Sequence, residues 1–227
     1  MMKNLVKLII FLIPFYIFSQ ETVTHNFGDF NIIKTYNALN VELFKSHESK
    51  VEITAQNPSD VLVKNVNGTL KITLKLQETF KGDVYKIKVF YVNNLDIIDA
   101  NEGSEISASH IFNQPNLEVK TQEGAKINLL VDLKYLTIKS VSGGMIQLKG
   151  KVKNQQVETN TGGVYRGYNL VSEQSYIVSA TAGIAEVTAT DLLDAKVTFG
   201  GEIYYKGNPE VLNTKKVVGG TIEPKKY

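Results

Sequence analysis

The sequence predicts an all-β protein whose second half coils into a parallel β-helix, and three observations point there. A short glycine-centred segment recurs about every nineteen residues. Apolar and polar residues alternate on both sides of it, as half-buried strands require. The same residue types return at the same offsets from one repeat to the next. A repeat of this length marks a supersecondary unit that buries its apolar side only by stacking on its neighbours.

The repeats run from Ala100-Asn-Glu-Gly-Ser-Glu-Ile106 to Lys216-Val-Val-Gly-Gly-Thr-Ile222. Their anchors are Gly103, Gly124, Gly143, Gly162, Ala182, Gly200 and Gly219, spaced by 21, 19, 19, 20, 18 and 19 residues. Five residues before the anchor stand Ile98, Val119, Ile138, Val157, Ile177 and Ala195, and three before it Ala100, Thr121, Ser140, Thr159, Ser179 and Val197. Three after it stand Ile106, Ile127, Ile146, Tyr165, Ala185, Ile203 and Ile222, and five after it Ala108, Leu129, Leu148, Gly167, Val187 and Tyr205. These four columns are expected to point inward, with coils about 4.8 Å apart. The hydroxyls of Thr121, Ser140, Thr159 and Ser179 are expected to hydrogen-bond along their column. The anchor glycine suits a corner that needs positive φ. A β-sandwich also has short strands but does not predict columns in register. A propeller repeats at roughly twice this length.

Residues 20–95 are strand-rich but follow the repeat loosely. Val41-Glu-Leu43, Val51-Glu-Ile53, Leu70 to Leu76 and Tyr85 to Val92 alternate, and Asn67-Gly68 is a hairpin turn signal. The expected organisation is a single domain over 20–227, with early coils and a cap over 20–95 and regular coils over 96–227. Pro224, Lys225 and Lys226 discourage edge pairing at the far end.

Residues 1–19 read as a signal peptide: Lys3 and Lys7, an apolar run from Leu8 to Phe18, then small Ser19. The run is shorter than a spanning helix needs. The expected location is extracytoplasmic, in the periplasm, at the outer-membrane surface or in the medium. No later segment is expected to span a membrane. The formal charge is +2, and removing those two lysines leaves 23 basic and 23 acidic residues. A neutral chain with one arginine, Arg166, argues against nucleic acid as a partner. The absence of cysteine excludes disulfides, a thiol nucleophile and thiolate zinc sites.

His25, His47 and His110 have no metal-ligand spacing and are expected in loops or on the surface, so no metal or cofactor is expected. No nucleotide-binding or nucleophile-elbow motif is present. Four after the anchor, facing outward, stand Gln147, Arg166, Glu186 and Tyr204. Arg166 and Glu186 are the candidates for acid–base work on an acidic polysaccharide, and a cross-strand ion pair on a solvated face is the plainer reading of them. Two after the anchor, Met145, Val164 and Ile184 form an outward apolar stripe between charged residues. Such a stripe is covered by the chain itself or serves as a contact surface.

Taken in order, Phe30-Asn-Ile-Ile33, Val41-Glu-Leu43, Gly68-Thr-Leu-Lys-Ile72, the repeated corners and Tyr205-Lys-Gly-Asn-Pro209 resemble the putative auto-transporter adhesin family with a head GIN domain. These are exported proteins of Bacteroidetes-type bacteria. The resemblance covers nearly all of the chain after residue 19. It implies a right-handed parallel β-helix and a non-enzymatic binding or adhesion module, and it supplies no catalytic motif. The long outward columns of such a coil suit a glycan or an envelope protein as partner. A carbohydrate-active enzyme and a self-associating envelope protein are the alternatives. Ala182 and Tyr165 depart from the usual corner glycine and aliphatic, so less regular middle coils are expected.

Overall fold

The computed structural model describes residues 20–78 and 84–225; the expected signal segment and Lys226 lie outside the described residues. The strands are β1 (Glu21–Asn26), β2 (Ile32–Thr35), β3 (Asn40–Lys45), β4 (Lys50–Ala55), β5 (Val61–Val66), β6 (Thr69–Leu74), β7 (Lys86–Tyr91) and β8 (Ile97–Ala100). Five long strands follow: β9 (Glu105–Thr121), β10 (Lys126–Val141), β11 (Met145–Asn160), β12 (Val164–Ala180) and β13 (Ile184–Thr198). β14 (Glu202–Lys206), β15 (Val211–Val217) and β16 (Thr221–Pro224) complete the chain. All belong to one sheet that coils into a β-solenoid of about seven turns.

From β8 onward every pairing is parallel, so the predicted stack is present and the sandwich is not. Each long strand runs from one glycine corner to the next. The half-coil after a corner forms a leading face, and the half-coil before the next corner forms a trailing face. Register follows the repeat: Ile127 pairs with Ile106 and Ile146, and Ile146 pairs with Tyr165. The expected inward columns are buried from Ile98 to Ile203, and only Ala108, Tyr205 and Ile222 toward the ends are partly open.

The corners show why two small residues recur there. Thr161 and Gly162 both have positive φ, 48° and 72°, and Gly163 N donates to Asn160 O at 2.9 Å, closing a tight turn. A Cβ on Gly162 would meet nothing within 4 Å, whereas one on Gly163 would lie 2.0 Å from the Ser140 carbonyl oxygen of the coil below. The first glycine therefore answers to backbone conformation and the second to space. Ala182 occupies the first kind of position, at φ 57°, and Gly183 keeps the second.

Each coil has a second bend with no glycine signature. Two successive residues face outward and the inward spacing stretches from two to three: Leu133 to Leu136, Val152 to Gln155, Ser172 to Ser175. Pro115-Asn116, Lys134-Tyr135 and Glu173-Gln174 sit at these bends. The hydroxyl column also differs from expectation. Thr121 pairs with Ser140 at 3.0 Å and Thr159 with Ser179 at 2.9 Å, but Ser140 and Ser179 then donate to the Gly144 and Gly183 carbonyls instead of continuing upward.

The early strands stack out of chain order. β2 pairs with both β6 and β8, and β3 with both β7 and β9, so the β6–β7 coil lies outside the β2–β3 coil that precedes it in sequence. β4 and β1 add antiparallel strands beyond β7, and β5 does so beyond β6 through the Asn67-Gly68 turn. This crossing explains why residues 20–95 follow the repeat loosely.

Candidate functional site

The residues singled out from sequence lie on the leading face. Met145, Val164 and Ile184 are direct neighbours in register, continued by Glu202. All three are half-buried. Gln147, Arg166, Glu186 and Tyr204 also stand in one row. Arg166 donates to Glu186 at 3.0 Å, and the Tyr204 hydroxyl donates to Glu202 at 2.9 Å. Tyr168, which sequence reasoning missed, stands two residues beyond Arg166, with the Lys206 ammonium 4.8 Å from its ring centre. Burial and the neighbouring Glu186 push the Tyr168 phenol up to about 12. The row is a set of paired charges on an outer sheet surface, with Arg166 and Glu186 bound to each other.

The trailing face carries a broader feature. A groove of ≈ 700 Å³ crosses β9 to β13. Its floor is two outward rows. One runs Glu118, Thr137, Gln156, Tyr176, Asp194, and the other Lys120, Lys139, Glu158, Val178, Lys196. Five coils at strand spacing make it about 20 Å long. Tyr176 and Val178 are 43% and 42% exposed, so the groove has an apolar centre between polar ends. Lys120 pairs with Glu118 at 2.8 Å and Lys139 with Glu158 at 3.6 Å. The second of these rows was legible as a polar column four before the corner. Tyr176 and Val178 were the signal that it is more than solvated surface, since both break otherwise polar columns.

A second groove, ≈ 580 Å³, follows the unmarked bend past Pro115, Lys134, Lys153 and Glu173. His110 is neither a loop nor a plain surface residue. It is half-buried in β9, accepts or donates at 2.6 Å with the Tyr91 hydroxyl, and packs on Phe112. Burial and then the Lys45 ammonium hold its imidazole below the usual range. Among the described residues no group of three or more carboxylates and histidines is placed to hold a metal ion, and no helix is long and apolar enough to cross a membrane.

The sequence matches the family described as putative auto-transporter adhesin, head GIN domain, over residues 29–209. The chain belongs to this adhesin family. Solved structures share the family fold. A putative adhesin from Bacteroides fragilis superposes with a TM-score of 0.82 at 20% identity, over 91% of this chain and 97% of its own. A putative lipid binding protein from Parabacteroides distasonis reaches 0.69 at 21% identity, over 91% and 97%. A putative adhesin from Parabacteroides merdae reaches 0.67 at 19% identity, over 91% and 96%. At these identities the likeness concerns the fold. No curated protein is significantly similar to the chain. Within this adhesin-family fold, the trailing face is where exposed aromatic, amide, carboxylate and ammonium groups converge.

Proposed function

We propose that this adhesin-family chain is a non-enzymatic, extracytoplasmic binding module that holds an extended glycan across the trailing face. The observation that carries the reading is the groove itself. Tyr176 offers a flat apolar platform with a polar rim, and tyrosine gives large contact area at low entropic cost. Gln156, Thr137 and Asn160 add donors and acceptors around it, with the carboxylates of Glu158 and Asp194 and the Lys139 ammonium at hand. An extended polar polymer fits a long, open, polar surface with one apolar centre better than a compact metabolite does. The mutual pairing of Arg166 and Glu186 on the other face supports binding over catalysis, because a general acid or base must be within reach of a substrate proton. The family and the expected signal segment support an exported location.

A glycan array probed with the chain from Gln20 onward, which contains every strand among the described residues, tests the reading. Tyr176→Ala and Gln156→Ala are each expected to weaken retained glycans about tenfold or more, the loss typical of a central contact residue. Arg166→Ala is expected to leave retention unchanged. No retained glycan, or retention indifferent to Tyr176 and Gln156, would overturn it.

A further inference from the structure

The corner ridge holds a second surface at the C-terminal end of the stack. The first residue of each corner turn has positive φ, and most corners place Glu102, Glu123, Ser142, Thr161 or Thr181 there. In the last two coils the position is taken by Phe199, at φ 48°, and Val218, at φ 57°. A bulky aromatic and a β-branched residue are the side chains least suited to this conformation. Neither is compensated by burial: Phe199 is 65% and Val218 69% exposed. Phe199 N donates to Val217 O at 3.1 Å, which sets the two apolar residues on adjacent coils of one ridge. Packing therefore does not account for them, and strain of this kind is retained where it serves contact.

The charges beside them point to the partner. Lys196 and Lys215 stand directly opposite each other on adjacent strands, three residues before Phe199 and Val218. Like charges in that position repel. Lys139 and Lys120, three and four coils before Lys196 in the same column, each have a carboxylate partner, whereas Lys196 and Lys215 make no ion pair among the described residues. Residues 196–225 carry five lysines and three glutamates in a chain that is otherwise nearly balanced. Exposed apolar tips with unpaired ammonium groups behind them match the two layers of an anionic lipid surface, acyl boundary and headgroup. We infer that the C-terminal end of the solenoid docks onto anionic lipid, with Phe199 and Val218 entering the headgroup boundary and Lys196 and Lys215 over the phosphates. Lys196 also ends one row of the trailing-face groove, so this docking surface abuts that groove, but it does not involve the groove's central Tyr176 and Gln156.

Sedimentation of the chain from Gln20 onward with phosphatidylglycerol-containing vesicles tests the inference, with phosphatidylcholine vesicles as the neutral comparison. Binding is expected only to the anionic vesicles and should weaken as salt rises. Lys196→Gln with Lys215→Gln should lower partitioning about twenty-fold or more, at about 1 kcal/mol for each lysine near the surface. Phe199→Ser with Val218→Thr installs residues that other corners use at this position, so the fold should be retained, as far-ultraviolet circular dichroism would show. That variant should also lose partitioning. Equal binding to both vesicle types, or unchanged partitioning of either double variant, would overturn the inference. Loss of self-association in place of vesicle binding in the Phe199/Val218 variant would assign the ridge to a second copy instead.

Discussion

Tyr165 and Gly167 offer the sharpest measurement of stacking in this solenoid, because they break two inward columns in opposite directions. Tyr165 stands where most coils have isoleucine, is fully buried, and donates its hydroxyl to Gln155 Oε1 at 3.0 Å. Burial drives its phenol far above the ordinary tyrosine range, so it stays a donor. Gln155 in turn donates to Ser172 and Ser175 at 3.0 and 2.8 Å, which satisfies a polar cluster in the interior. Two residues on, a Cβ at Gly167 would lie 2.5 Å from Tyr165 Cζ. The missing side chain of Gly167 is thus the room for the Tyr165 ring. Tyr165→Ile should cost about 3–5 kcal/mol, from lost ring packing and an orphaned amide oxygen. Gly167→Ala alone should cost about 2 kcal/mol by overpacking. Together the two should cost about 2 kcal/mol less than their sum, since each removes the reason for the other. Tyr165→Phe isolates the hydrogen bond at about 1–3 kcal/mol. Urea unfolding followed by circular dichroism measures all four. Additivity of the double variant within about 0.5 kcal/mol would refute the steric coupling.

Three other outcomes are expected. Ile146→Asp places a carboxylate at a site with 0% exposure and should cost about 3–5 kcal/mol in urea unfolding; a near-neutral value would mean the column is not inward. Gly163→Ala should cost about 3 kcal/mol because its Cβ would meet backbone, while Gly162→Ala should cost only about 1 kcal/mol for its left-handed conformation; equal costs would erase the distinction between the two corner positions. His110 has a folded pKa below its unfolded value, so its contribution is complete above about pH 6.5 and declines as pH falls through that value toward the folded pKa. His110→Gln should flatten that part of the melting-temperature profile below about pH 7, and an unchanged profile would remove His110 as its source.

The regular coils were legible because each inward position is read six or seven times in the sequence, so one exception such as Tyr165 does not hide its column. The second bend was not legible. It needs only two outward residues in succession, and Lys134-Tyr135 or Glu173-Gln174 look like any polar surface pair. The order of the early coils was hidden for another reason. β2 and β6 carry the same apolar alternation, and nothing local says that β6 lies outside β2 and not inside it. The leading-face row was found in register but with its charges paired to each other. The trailing-face groove was overlooked because a column of Lys120, Lys139, Glu158 and Lys196 reads as solvated surface until Val178 and Tyr176 are seen side by side at its centre.

The parallel stack separates two kinds of requirement along every strand. Inward columns share one interior, so each residue there answers to the coil above and below it, as Tyr165 answers to Gly167 and Gly163 to Ser140. Outward columns answer to solvent alone, and exposed substitutions away from special features usually shift stability by less than about 0.5 kcal/mol. Their departures from neutral polarity therefore carry information that core residues do not. Lys196 opposite Lys215 and exposed Phe199 above exposed Val218 each work against the folded state of the isolated chain. Replacing them should leave stability unchanged or raise it. If Phe199→Ser with Val218→Thr instead lowered the melting temperature by several degrees, these side chains would be part of the stack's own support, and the reading of outward columns as contact surfaces would lose its basis.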